Sequence, residues 1–161
     1  MLELQLPIPE LIPDGDYIFR NVHVMQSRKW HNTKTPNTSD FALRPDERGL
    51  SVNWDKYCTT NDIFIMIGLR KTKSGKDYQN PSDYKLIKLN VGDVRKISLL
   101  ITEIIDVLHR PELNNKAHSE ICCEDEDEIR LKLCELVESY EDPIIKPDIP
   151  MLIVELEKRR V

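Results

Sequence analysis

Apolar residues in this chain occur in short runs, separated by polar stretches that contain proline, glycine or asparagine. Runs rich in β-branched and aromatic residues between such stretches are typical of strands. The pattern predicts strands over residues 17–25, 39–43, 50–53 and 84–91. The intervening stretches 26–38 and 70–83 are predicted to be loops, and 14–16 and 44–49 turns.

Helices are predicted at three places. Thr59 to Asp62 has the composition of a helix cap, and it precedes the apolar run 63–69. The β-branched residues of that run also suit a strand, but the cap favours a helix. One helical turn is predicted over 92–95. A one-sided apolar pattern behind a cluster of acids predicts a longer helix over 126–140.

Two segments are harder to assign from their patterns. The spacing of apolar residues over 97–109 fits a helix, whereas its β-branched content and two apolar faces fit a central strand. We predict a strand over 101–108. Residues 151–156 could add an edge strand or pack as a short tail.

The length of 161 residues suits one domain, which can bury a core of its own. We divide the single domain 1–161 into an extended arm over 1–16, a pocket-forming core over 17–121, and a C-terminal helix and tail over 122–161. The predicted class is α+β, with a mixed, mainly antiparallel sheet and helices packed on one side.

Composition and charge restrict the function. The chain is 40% hydrophobic and 32% charged, with a net charge of −5, which disfavours a general nucleic-acid binder. Residues 20–50 carry a local excess of Lys and Arg, whereas residues 120–128 hold six acids and no base. A basic face for a small anionic ligand and an acidic face for a basic protein partner are therefore both compatible with the sequence.

Location follows from two further features. No apolar run approaches the roughly 20 residues that span a bilayer, so no membrane association is expected. Four cysteines without a preceding signal peptide predict free thiols in the cytoplasm.

Candidate chemistry centres on a histidine and an arginine. His118 follows the small residue Ala117, and Glu120 is close enough in sequence to orient its ring for acid–base work, with Asn115 as a ligand contact. Arg20 interrupts an apolar strand, where a guanidinium needs an internal partner or an anionic ligand. The alternatives are a structural hydrogen bond for His118 and, for Arg20, an ion pair with an acid such as Asp106 or a place on a solvated face.

Three further residues are candidates for ligand binding. His23 is three positions beyond Arg20 and is expected on the opposite face of a regular strand. Trp30 could stack on a base, although a loop tryptophan more often anchors its loop to the core. Ser51 could donate to a ligand or be an ordinary strand hydroxyl. Neither a metal site nor a nucleotide-binding or hydrolase motif is recognised, so no cofactor is expected from motifs.

These residues form a spaced set: an arginine-bearing strand, Trp30, the step Ser39-Asp40-Phe41, the step Leu50-Ser51-Val52, and Asn115 to Ile121. The set resembles a group of small uncharacterised prokaryotic proteins. The resemblance covers about residues 17–121 and implies one recurrent unit, with no activity attached.

A looser likeness is to ADP-ribosyltransferase-like folds of the RES type, which consume NAD. Arg20, Ser51 and Glu120 are the matching residue types. The likeness implies NAD as the ligand. The Gly-Gly-Arg-Trp pattern of the RES type is absent from the chain, and Arg28-Lys29-Trp30 is its nearest equivalent.

Two functions therefore stand as hypotheses. The first is a domain that binds or processes a nucleotide or another phosphorylated ligand. The second is a non-enzymatic interaction or accessory protein of a bacterial operon, of the kind found in defence or toxin–antitoxin systems, with a basic protein partner.

Overall fold

A computed structural model describes residues 5–23, 36–45, 47–72, 74–101 and 103–142 of the chain. Most of the predicted loop 26–38, including Trp30, lies outside the described residues, and so do residues 151–156, for which an edge strand and a short tail were the two alternatives. The statements below concern the described residues.

A six-stranded sheet forms the centre of the fold. Its strands are β1 Tyr17–His23, β2 Leu50–Trp54, β3 Tyr84–Asn90, β4 Asp106–His109, β5 His118–Cys122 and β6 Ser139–Glu141. They lie in the order β4-β5-β2-β1-β3-β6, and every pair of neighbours is antiparallel. With the helices described next, this confirms the predicted α+β class.

Three α-helices accompany the sheet: α1 Thr60–Gly68, α2 Val91–Lys96 and α3 Asp127–Glu135. Residues of α2 and α3 join the larger apolar cluster, which includes Ile18 and Val22 of β1. Residues of α1 join the smaller cluster with Phe19 and Leu86. Because alternate strand residues point to opposite faces, α2 and α3 lie on one face, as expected for the helices, and α1 lies on the other. We call the second one the α1 face.

The first helix begins where its cap predicts. Thr59 accepts a hydrogen bond from the backbone N–H of Asp62, and the Asp62 side chain accepts from the Thr59 backbone. This capping box satisfies two backbone donors that the first turn leaves free. The residues behind it bury Ile63, Phe64 and Ile67, so one-sided burial decides for helix over strand.

The N-terminal arm lies along the edge strand β4. Arg95 of α2 donates to the backbone carbonyls of Ile12, at 2.6 Å, and Val107, at 3.0 Å. The backbone N–H of Glu10 donates to Nδ1 of His109 at 3.0 Å. Arg95 therefore ties the arm to a strand whose outer edge has no neighbouring strand among the described residues.

One predicted strand is wrong. Residues 39–43 do not pair with the sheet; Thr38–Phe41 is a single 3-10 turn. Asn37 and Asp40 form a reciprocal capping box there, in which Asn37 N–H donates to Asp40 Oδ2 at 2.9 Å. Side chains that bond their own backbone compete with sheet pairing, and here they win.

Two other predictions need new boundaries. The helix predicted over 126–140 ends at Glu135, and Ser139–Glu141 pairs with β3 instead, because that strand offers an open edge. The strand predicted over 101–108 begins only at Asp106. Ser98 Oγ and the backbone of Ile105 exchange hydrogen bonds that close the preceding residues into a loop.

Candidate functional site

A polar cavity of about 270 Å³ opens on the α1 face. It adjoins a larger hollow of about 900 Å³. The two share the side chains of Arg20, Asn21, Arg44, Gln79 and Tyr84. We call the continuous depression the polar cleft. Ligand pockets usually occupy a few hundred cubic ångströms or more, so its size suits a small molecule.

The floor of the cleft lies where two central strands separate. Pairing between β1 and β2 covers only Ile18 with Trp54 and Phe19 with Asn53. Beyond this point Arg20 occupies the gap: its Nε donates to the Asp40 carbonyl at 2.6 Å, and one terminal nitrogen donates to the Ser51 carbonyl at 3.0 Å. The guanidinium thus replaces strand-to-strand hydrogen bonds.

The burial of Arg20 gives it a structural role. In the sheet, Arg20 is paired with Ile87 of β3, and its side chain leaves the strand on the side of the larger core. Burial lowers the pKa of the guanidinium because the charged form loses its hydration. The ion pair with Asp106 considered from the sequence does not form, since Asp106 pairs with Arg95 at 2.8 Å. Arg20 lines the cleft with two of its donors already engaged.

His118 lines the cleft from the start of β5. Its Nδ1 lies 2.8 Å from the backbone carbonyl of Arg110. A carbonyl can only accept, so Nδ1 carries the proton, and Nε2 of the neutral ring is an acceptor. No described residue donates to Nε2. The Glu112 carboxylate lies 3.7 Å from Nδ1.

Glu120 does not share this site with His118. Both side chains project from the same face of β5, but Glu120 is held by Arg110 at 2.7 Å and by Arg48 at 3.9 Å. It is absent from the cleft lining. The carboxylate nearest to the imidazole is therefore Glu112, which the sequence did not single out.

Asn115 lines the cleft and is fixed from both ends of its amide. Its Oδ1 accepts from the backbone N–H of Ala117 at 3.1 Å, and its Nδ2 donates to Asn53 Oδ1 at 2.7 Å. Asn53 is buried, and it lies directly opposite His118 in the sheet. Sequence reasoning missed Asn53; the signal was a polar residue in an apolar strand, two positions after Ser51.

The remaining candidates lie at different depths. Ser51 lines the smaller cavity and gives its carbonyl to Arg20. His23 lines the larger hollow, where its ring meets Tyr84 edge-on at 5.0 Å. As expected from the sequence, His23 faces away from Arg20, because their partners in β3 alternate. Trp30 cannot be placed, since it lies outside the described residues.

Charge at the cleft is mixed. In the smaller cavity the cations of Arg20, Arg44 and Arg70 outnumber the carboxylates of Glu47 and Glu112. The larger hollow adds the acids Asp40 and Asp83, so the positive charge is concentrated in the smaller cavity. Buried beside these charges, Asn21 Oδ1 accepts no hydrogen bond from any described residue. A buried acceptor without a donor is uncommon and marks a place for a ligand group or a water molecule.

Cysteine chemistry lies elsewhere. The four cysteines are free, and none of them lines the cleft. Burial raises the pKa of Cys58 to about 12 and that of Cys123 to about 11. Such thiols are protonated at neutral pH and are poor nucleophiles. Within the described ranges, no group of three or more His, Cys, Asp and Glu side chains could hold a metal ion.

Comparison with protein-family models, curated proteins and solved structures gives no match. Both resemblances stated from the sequence therefore stay predictions. No helix in the described part of the chain has the length and apolar character needed to cross a membrane.

Proposed function

We propose that the polar cleft binds a small anionic ligand, a nucleotide or another phosphorylated compound. The observation that carries the proposal is the meeting of three arginines with the unpaired amide oxygen of Asn21 and the open Nε2 of His118 around one cavity. Guanidinium groups suit phosphate because their planar N–H fork matches its oxygens.

Within the proposed site, the arginines have different roles. Arg20 donates to two backbone carbonyls and forms part of the floor of the cleft. Arg44 and Arg70 are both exposed at the cleft, and they are the groups that would contact phosphate oxygens. Among the described residues, the guanidinium of Arg44 has only a long 3.9 Å contact to Glu47, so it can turn toward a ligand at little cost.

The proposal concerns binding, and catalysis would also need a group that transfers a proton. Nε2 of His118 is the acceptor that would take a proton from a bound ligand or water. The sequence assigned Glu120 as its helper, but the carboxylate beside the ring is Glu112. We therefore assign proton transfer, if the ligand undergoes it, to His118 with Glu112.

A matched pair of arginines tests the proposal. The side chains of Arg44 and Arg48 are 71% and 79% exposed, but only Arg44 lines the cleft. Mass spectrometry of ligands released from the purified protein would first supply candidates, and calorimetry would measure their affinity. Arg44→Ala should weaken binding about tenfold, the effect of losing a charged hydrogen bond of about 1.5 kcal/mol. Arg48→Ala should leave the affinity unchanged.

Equal weakening by both variants would mean that the ligand responds only to the net charge of the surface. A complete absence of binding by phosphate, ribose 5-phosphate and nucleotides would contradict the proposed function itself.

A second function, docking of a basic protein partner, is favoured by a different surface. Leu99, Leu100 and Ile104 are 83%, 68% and 88% exposed on the loop that Ser98 closes. Glu103, on the same loop, is next to the acidic start of α3, and Glu126 raises its pKa. Exposed apolar residues beside acids are typical of an interaction surface for a basic partner.

Affinity capture from cells separates the two functions. Ile104→Ser should abolish recovery of a stoichiometric partner, whereas Leu131→Ser, at a half-exposed position on α3, should preserve it. If the unaltered protein and the Leu131→Ser variant both fail to recover a partner, the docking function fails. For either function we propose a prokaryotic, cytoplasmic protein, and the four free thiols support the location.

A further inference from the structure

The orientation of the Asn53 amide follows from its neighbours. Ala117 N–H donates to Asn115 Oδ1, so Asn115 must present its Nδ2 to Asn53. Nδ2 is a donor, and therefore the atom it meets on Asn53 must be the acceptor Oδ1. The Nδ2 of Asn53 consequently points the other way. No described residue accepts from it, although only 6% of the surface of Asn53 is exposed.

An acceptor lies beside this donor. Asn53 and His118 are directly opposite each other on β2 and β5 and line the same cavity. Side chains at opposite positions of an antiparallel pair lie about 5 Å apart at Cβ. Since Nδ1 of His118 is committed to the Arg110 carbonyl, its Nε2 completes a fixed donor–acceptor pair.

We propose that Asn53 and His118 recognise a planar ligand edge that carries an acceptor next to an N–H donor, as the edge of a nucleobase does. The proposal rests on the proposed binding of an anionic ligand and identifies that ligand as a nucleotide. Asn53 Nδ2 donates to the ring carbonyl or ring nitrogen, and Nε2 of His118 accepts from the adjacent N–H.

The fixed pair favours a base over a sugar or a free phosphate. Beside the neutral imidazole, a phosphate oxygen could accept from Asn53 but would face the lone pair of Nε2, which is repulsive. A rotating hydroxyl could satisfy either partner without needing the hydrogen-bond chain that holds the Asn53 amide in place. The unpaired Asn21 Oδ1 offers a third contact, to an exocyclic amino group of the base. Asn21 is two positions beyond Phe19, the residue of β1 that pairs with Asn53.

Binding ratios test this assignment. Affinities of AMP, CMP, UMP and IMP would be measured by calorimetry and compared with that of ribose 5-phosphate, which has the same phosphate and no base. We expect at least one nucleotide to bind about tenfold or more tightly than ribose 5-phosphate, as expected when a buried polar pair is satisfied.

Asn53→Asp is the informative variant. Its Oδ1 can still accept from Asn115, and only the donor toward the cavity is replaced by an acceptor. The added charge weakens every anionic ligand, so the quantity compared is the ratio of nucleotide to ribose 5-phosphate affinity. That ratio should fall about tenfold. Asn114→Asp adds the same charge at an exposed residue outside the cleft lining and should leave the ratio unchanged.

The outcomes are distinct. If every nucleotide binds like ribose 5-phosphate, or if Asn53→Asp preserves the ratio, the base-recognition assignment is overturned while anion binding stands. If no anion binds, the proposed function fails and this assignment fails with it. Should Asn53→Asp not fold, the NMR signals of the Asn53 side-chain N–H₂ group in the unaltered protein decide: they should shift with a nucleotide and stay in place with ribose 5-phosphate.

Discussion

Replacing Arg20 with methionine tests whether this residue stabilises the fold. Methionine keeps the length and the apolar stem of the side chain but removes the donors to the carbonyls of Asp40 and Ser51. Without them the Thr38–Phe41 turn is no longer tied to β2, and two carbonyls lose a partner at the point where β1 and β2 separate.

The magnitude follows from those two contacts. A hydrogen bond from a charged donor contributes about 1.5–3 kcal/mol, so losing two removes about 3–6 kcal/mol. Part of this loss is offset, because the variant no longer buries the charge whose dehydration lowers the pKa of Arg20. We expect a net loss of about 2–4 kcal/mol in the free energy of unfolding.

Equilibrium unfolding in urea measures this loss, with the fluorescence of buried Trp54 as a signal. With a slope near 2 kcal/mol/M, the midpoint should fall by about 1–2 M. Arg48→Met removes an exposed arginine of the same size and should change stability by less than about 0.5 kcal/mol. If the Arg20→Met protein has an unchanged midpoint and slope, Arg20 does not stabilise the fold. The guanidinium of the unaltered protein would then be available to a ligand.

Three further predictions concern other parts of the molecule. Thr59→Ala should cost about 1 kcal/mol in urea unfolding because it removes the cap of α1, whereas Thr60→Ala, one position later and outside the capping box, should cost much less. Glu103→Gln should raise the melting temperature of the protein at pH 7. Glu126 raises the folded-state pKa of Glu103, so the native protein loses stability as the pH rises through that pKa, and glutamine removes this loss. An equal rise in melting temperature at pH 4, where the carboxyl group is largely protonated, would contradict this cause. Cys58, with its pKa raised to about 12, should resist alkylation by iodoacetamide at pH 8 until the protein is unfolded, which mass spectrometry of labelled peptides would show.

The sequence predicted the elements whose signals are local. The Thr59 cap identified α1 correctly because both partners of the box lie within one turn. The sequence could not predict that Ser139–Glu141, which continues a helical pattern, would form a strand. That strand depends on the open edge of β3, which is distant in the chain. The same limit applies to Thr38–Phe41, where residues with strand propensity close a turn.

The candidate site shows a similar division. Residue type was enough to single out Arg20, His118 and Asn115, all of which line the cleft. Their partners depend on register, which sequence alone does not give. Asn53 comes into the site only because β2 places it opposite His118. Glu120 was linked to the same histidine by its distance along the chain, but an arginine on the neighbouring segment holds it elsewhere.

The cover that Arg95 and the arm provide over β4 also bears on self-association. Removing residues 1–14 would take away the carbonyl of Ile12 that Arg95 holds and the contact from Glu10 to His109, and it would leave the outer edge of β4 without the arm. An uncovered edge strand next to the apolar Leu99 and Leu100 is a template for intermolecular β-pairing. A shortened chain would therefore be expected to form sheet-linked aggregates at high concentration, with the cleft on the other side of the sheet still intact.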